Sequence, residues 1–237
     1  MMVIVLYLTT IVSIGLLTRG RVKTDVDFAI AGRSLSTTWI GLTAFASWVG
    51  LAGTFGTPEN IYKFGLSGTW WFMAWLPGIL FMAYFLAARL RKRLYVTVPE
   101  LISSKTSPNV GIVASLCVSW NCLAWAAVQV FALGLVFSTV TSMNSTTGAV
   151  IAFFIVILYT LIGGFRAVVF TDIVQAIMIL SLVMIVAPVI ALIKGGGLSE
   201  IYHGTKNIPD FYTLFKGAGS KTLLIWFLSL IPAAFID

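Results

Sequence analysis

Asp172 is the first residue whose surroundings suggest chemistry. It stands at the start of an apolar run, six residues after Arg166, in the segment LYTLIGGFRAVVFTDIVQAIMIL. A carboxylate beside a bilayer-length apolar segment is costly unless it is paired, hydrated or ligating a cation, so it reads as a functional group. A structural reading competes: a carboxylate is favoured at a helix N-terminus, and Thr171 before it would serve as an N-cap. The second candidate is Trp39 to Leu66, WIGLTAFASWVGLAGTFGTPENIYKFGL, which is long enough to span a bilayer but carries Gly50, Gly53, Gly56 and Pro58 in its middle. Each interior glycine costs a helix up to about 1 kcal/mol against alanine. The segment is therefore expected to unwind between about Ser47 and Gly53. Unwound backbone at membrane depth survives only against protein or a wet cavity, where its carbonyls suit a hard cation. Close helix packing through small residues is the alternative. Third, Asn121, Trp125 and Gln129 fall four apart and share one helical face. Two amides in hydrocarbon need partners, so this face is directed inward, either lining a cavity or joining helices by hydrogen bonds.

The elements that must hold these residues follow from composition. The chain has 237 residues, 59% of them hydrophobic and 10% charged. With several long apolar runs, this indicates an all-α polytopic membrane protein forming a single membrane domain. About seven spans are expected, at 1–17, 39–66 (broken), 70–88, 110–139, 148–162, 171–193 and 222–237, the last incomplete. A short interfacial segment at 96–107 and a polar loop from Lys194 to Lys221 complete the chain. The first span lacks a basic leader region and a cleavage site, so it reads as a retained helix. The net charge of +7 reports topology, not nucleic-acid binding, because the basic residues lie in short loops between apolar spans. Arg19, Arg21, Lys23, Arg33, Arg89, Arg91, Lys92, Arg93, Lys105 and Arg166 fall on one side, against five lysines on the other. The positive-inside rule then puts those ten in the cytoplasm and the N-terminus outside. Cys117 and Cys122 read as small core residues. Asn144-Ser145-Thr146 fits a glycosylation pattern weakly, in a very short loop. No nucleophile elbow, phosphate loop or H-E-x-x-H motif points to an enzyme.

Three stretches together resemble one family. ILYTLIGGFRAVVFTDIVQAIMI resembles the signature of the sodium/solute symporter family, with its Gly-Gly pair, Thr-Asp and Gln in that order. FAIAGRSLSTTWIGLTAFASWVG resembles the family's approach to its second helix, and LYVTVPELISSK its Thr-x-Pro-Glu segment after the third. Relatives carry proline, pantothenate, sugars and other small solutes. Two features depart from proline carriers. Trp48 stands where many of them have an acidic residue after Ala-Ser, and LSLIPAAFID lacks their Gly-Gln-Pro.

The resemblance implies a five-plus-five inverted-repeat, leucine-transporter-like fold with one extra N-terminal helix, of which this chain is the first half. It implies sodium-coupled symport of a small organic solute across a plasma or bacterial inner membrane. Sodium is then the coupling ion, with no other cofactor. The partners are the solute, sodium, the lipid bilayer and a missing C-terminal half, without nucleic acid. By the same resemblance, Ala46 and Val49 offer backbone carbonyls to sodium, and Asp172 lies on the inner sodium path. Ser47, Trp48 and Gly50 lie near the solute, joined by the cavity face of Trp125 and Gln129. Arg33 is the basic residue that begins helix two and serves coupling. A transporter-like sensor and a structural membrane subunit without transport are the rival readings.

Overall fold

The computed structural model describes residues 2–50 and 52–233. Met1 of the expected first span, Leu51 in the expected break, and 234–237 at the end of the expected seventh span lie outside the described residues. Among the described residues all regular structure is helical, with no β-strand. Helix α1 (Met2–Thr18) is apolar, and its hydroxyls fold back on their own helix, as when Thr10 Oγ1 donates to Leu6 O at 2.8 Å. Helix α2 (Asp25–Ile30) begins in a capping box: Thr24 Oγ1 accepts from Asp27 N, and Asp27 Oδ2 accepts from Thr24 N, both at 3.1 Å. Helix α3 (Thr37–Trp48) is capped by Ser36.

A wider π turn at Ala52–Gly56 leads into α4 (Thr57–Phe64). Then come α5 (Trp70–Met73), α6 (Leu76–Phe81) and α7 (Ala87–Arg93), which stops at Leu94 in a left-handed conformation. Helix α8 (Val98–Lys105) precedes two long helices, α9 (Pro108–Val140) and α10 (Ser145–Met178). Another π segment, Ile179–Val186, joins α10 to α11 (Ala187–Lys194), and α12 (Gly197–Thr205) and α13 (Gly219–Ala233) follow. Among the described residues three helical runs are long and apolar enough to cross a membrane: Gly53–Arg93, Pro108–Val140 and Ser145–Lys194. Leu6–Thr18 and Gly219–Ala233 are shorter apolar helices.

The chain divides into two compact units. One comprises Met1–Gly50 with Ile102–Ile179, the other Leu51–Leu101 with Leu180–Asp237. In the first, α10 is the central element and packs against α1, α2, α3 and α9. Small residues permit the approach, since a Cβ on Gly15 of α1 would lie 2.9 Å from Tyr159 Cβ of α10. In the second, α13 packs on α5 and α6 around Ala74, Ala218, Leu223 and Trp226.

Several sequence expectations change. The spans expected at 148–162 and 171–193 have no loop between them. They form one helical run interrupted at Gly164 alone, whose φ of 60° and ψ of −161° are open to glycine and forbidding to other residues. Thr171 and Asp172 thus lie well inside α10 and cap nothing. Thr171 Oγ1 donates back to Val168 O at 2.8 Å instead. Cys117 and Cys122 are exposed on α9, not in a core; an apolar side chain on a bilayer-spanning helix has no need of burial in protein. Asn144 caps α10, its Oδ1 accepting from Thr146 N at 2.9 Å. The expected loops before Arg33 and after Lys194 contain α2 and α12.

Candidate functional site

Arg33, Ala46, Ser47, Trp48, Val49, Gly50, Trp125, Gln129 and Asp172 all belong to the first unit, whereas Gly53, Gly56 and Pro58 of the expected break belong to the second. Helix α3 ends at Trp48. Val49 leaves helical geometry at φ −87°, ψ 32°, and its N–H closes the last turn on Phe45 O at 3.1 Å. Ala46 and Val49 therefore occupy the turn whose carbonyls a regular α-helix does not satisfy. Ala46 is buried, Val49 and Trp48 are half-buried, and Ser47 is exposed.

One turn before Ala46, Thr43 meets Asp172. Thr43 Oγ1 donates to Asp172 Oδ2, from α3 to α10, with both residues buried. This is the contact that a carboxylate inside an apolar helix requires. Trp39 and Phe170 support it with an edge-to-face contact at 4.9 Å between the same helices. Three residues beyond Asp172, Gln175 Nε2 donates to Tyr7 OH of α1 at 2.7 Å. A line of polar groups thus runs along one side of α10, joined to α3 at Asp172 and to α1 at Gln175. Thr43, Tyr7 and Gln175 went unmarked as site residues in the sequence. A signal existed for Thr43, which lies one turn before Ala46 on the same face of α3; none existed for Tyr7.

Gly50 and Gln129 also come together. A Cβ on Gly50 would fall 2.7 Å from Gln129 Nε2 and 3.2 Å from Oε1, so the amide of α9 rests directly on the backbone where α3 ends. Trp125, one turn earlier on α9, is 36% exposed, and Asn121 is half-buried.

Arg33 sits in the turn ahead of α3. Ala31, Gly32 and Arg33 are all left-handed, at φ 51°, 59° and 56°. For the two non-glycine residues that conformation costs about 1–2 kcal/mol each. The turn is held from α10: Arg166 Nη2 donates to Ser34 Oγ at 2.5 Å and to Ala31 O at 3.3 Å. Ser34 Oγ in turn donates to Ala31 O at 2.7 Å. Gly164 makes the approach possible, since a Cβ there would be 3.1 Å from Phe28 Cα of α2. Asp27, in α2, is held below the usual carboxylate range, first by the Thr24 hydroxyl, then by the Lys23 and Thr24 amides, with a further contribution from the Arg166 charge.

The chain is 26% identical over 225 residues to the "High-affinity proline transporter PutP" of Bacillus subtilis (strain 168), covering 90% of this chain and 47% of that protein. To the "High-affinity choline transporter 1" of Drosophila melanogaster it is 30% identical over 152 residues, 64% of this chain and 25% of the relative. To the human "Sodium/iodide cotransporter" it is 26% identical over 204 residues, 82% and 31% respectively. The chain spans at most about half the length of these relatives. No solved structure matches it significantly. Residues 28–234 match the sodium:solute symporter family, with the Gly164 break, Asp172 and the end of α3 all inside the matched range, and the chain belongs to that family.

Proposed function

We propose that this chain is the first half of a sodium-coupled symporter for a small organic solute. The observation that carries the reading is the Thr43–Asp172 contact, which places a buried carboxylate against α3 little more than one turn before that helix ends. Asp172, the Ala46 and Val49 carbonyls and the Thr43 hydroxyl offer oxygen donors on neighbouring turns, the ligand type a hard cation prefers. In this reading sodium approaches along Asp172 and is held by the Ala46 and Val49 carbonyls. The solute contacts Ser47, Trp48, Gly50, Trp125 and Gln129, and Arg33 serves coupling. Trp48 presents a neutral indole beside the solute, which favours a solute other than proline. The remaining sodium ligands come from the second five-helix repeat of an inverted-repeat fold. Sodium and solute each tighten the other's binding, and rocking of the repeats releases both inside.

The protein is placed in a plasma or bacterial inner membrane with its N-terminus outside. Arg166 of α10 is joined to the turn at 31–34, and the positive-inside count puts Arg166 and Arg33 on the same, cytoplasmic side, which supports their common sidedness.

The test uses purified full-length protein in proteoliposomes. Intrinsic tryptophan fluorescence is titrated with sodium chloride against N-methylglucamine chloride, and uptake of labelled proline and choline is measured under each gradient. A saturable sodium response that Asp172→Asn moves about tenfold or more to higher concentration is expected, about 1.4 kcal/mol. A sodium-independent protein would overturn the reading in favour of a sensor or structural subunit. Collapse of expression with unchanged sodium affinity would make Asp172 a folding residue.

A further inference from the structure

The sequence treated Arg166 only as a charge that reports topology. The structure gives it a different position. It lies two residues past the Gly164 break, at the beginning of the α10 segment that carries Asp172. Its guanidinium reaches the turn that precedes α3, the helix that carries Thr43, Ala46 and Val49. The two helices of the candidate site are therefore joined twice: at Thr43–Asp172, and at Arg166 with Ser34 and Ala31. The second joint is made to a turn of three successive left-handed residues, two of which would relax to another conformation if released.

We propose that Arg166 is a positioning residue: its hydrogen bonds to Ser34 Oγ and Ala31 O hold residues 31–33 in left-handed form and so fix α3 against α10 at the sodium site. The consequence for sodium rests on the symporter reading; the hold on the turn does not. Arginine suits the task. Its guanidinium carries five N–H donors in a fixed fork, and a single Nη2 serves two acceptors here. Strain in the turn gives the joint a direction. Whatever breaks the Arg166 contacts lets Ala31 and Arg33 leave the left-handed region, and the start of α3 moves with them. Held, the turn keeps Thr43 opposite Asp172. Released, it frees α3 to shift along α10, a discrete two-state element of the kind that transport cycles require.

The experiment has two arms on full-length protein in nanodiscs: hydrogen exchange of the amides at 31–36, and sodium titration of tryptophan fluorescence. Arg166→Gln is expected to speed exchange at 31–36 about fivefold or more while α9 is unchanged, and to raise the sodium half-saturation about fivefold. Ser34→Ala should do part of this alone and add little to Arg166→Gln, because both remove the same contact. Arg166→Lys should restore part of the protection. Ala31→Gly, which makes the left-handed turn cheap, should lessen the effect of Arg166→Gln on exchange. Unchanged exchange in Arg166→Gln, or full additivity with Ser34→Ala, would overturn the positioning role. Faster exchange with an unmoved sodium half-saturation would overturn its link to the site. A wild-type protein with no sodium response would instead sink the symporter reading, and the exchange arm would still decide whether Arg166 holds the turn.

Discussion

The two units of this chain hold themselves together by different means. In the unit built around α10, polar side chains join distant helices beside a small apolar core of Ile11, Tyr159 and Ala167: buried Thr43 with Asp172, half-buried Gln175 with Tyr7, and the more exposed Arg166 with Ser34 and Ala31. In the other, the contacts between distant segments are aromatic and backbone-mediated. Trp226 packs edge-on against Phe64 and Trp71, each at 5.9 Å, and Trp70 stacks on Phe215 at 5.4 Å. Its polar contacts between distant segments end on the backbone: Ser67 Oγ accepts from Ala218 N at 2.7 Å, and Trp70 Nε1 donates to Leu214 O at 2.8 Å. Such contacts offer no charged group for an ion to replace. A hydroxyl on a carboxylate can be replaced by an ion, and a guanidinium on a strained turn can let go. Stability and chemistry are thus divided between the units, and that division can be tested.

The largest expected effect falls on stability in the aromatic unit. Trp226→Ala should lower stability by about 3 kcal/mol, the usual scale for removing a buried tryptophan, read as a fall in thermal midpoint in detergent. The surviving protein should keep its sodium half-saturation, and a shift there would break the division. Next comes Thr43→Val, which keeps shape and removes the hydroxyl that Asp172 accepts from. Sodium half-saturation should change about tenfold, with Thr43→Ser close to wild type, because the loss of a hydrogen bond to a charged group is worth about 1.5–3 kcal/mol. Equal behaviour of the valine and serine variants would show that the hydroxyl is inessential.

Gly50→Ala is a smaller perturbation. The new methyl would meet the end of the Gln129 side chain, which can move, so expression should stay near normal. Displacing that amide should raise the sodium half-saturation about fivefold, roughly 1 kcal/mol; an unaltered response would assign Gly50 to packing alone. The smallest effect concerns Asp27. Its folded pKa lies below the ordinary carboxylate value of 3.8, so the stability it gives α2 is fully present above that value and is lost as pH falls through the lower folded one. Exchange protection at residues 27–31 should stay flat between about pH 8 and 5 after correction for intrinsic rates. A loss of protection near neutrality would mean another group controls the cap.

What could be read from the sequence divides along similar lines. Helicity and membrane character were legible because long apolar runs allow few alternatives. The end of α3 was legible because glycines at 50, 53 and 56 weaken a helix whatever surrounds them. The unbroken continuation through Thr171 and Asp172 was not. A Thr-Asp pair after a Gly-Gly looks like a cap, and only packing against α3 shows that the helix has already begun. Helix α2 was missed, although Thr24 and Asp27 have capping-box spacing, because the charges around them suggested a loop. Thr43, Tyr7 and Gln175 each need a partner more than a hundred residues away, and no local pattern announces such a partner.

The break at Gly164 also sets a phase. Beyond it α10 is regular, so Arg166 and Asp172, six residues apart, stand about 9 Å apart along the axis and about 240° around it. The guanidinium end is tied to the turn before α3, and the carboxylate end faces Thr43. The helix between them therefore works as a keyed shaft whose two teeth must engage together. One residue inserted between Arg166 and Asp172 would turn the carboxylate about 100° off its mate while leaving composition and hydropathy almost untouched. The five intervening residues must keep their number as well as their size, since Ala167, Val169 and Thr171 among them are buried.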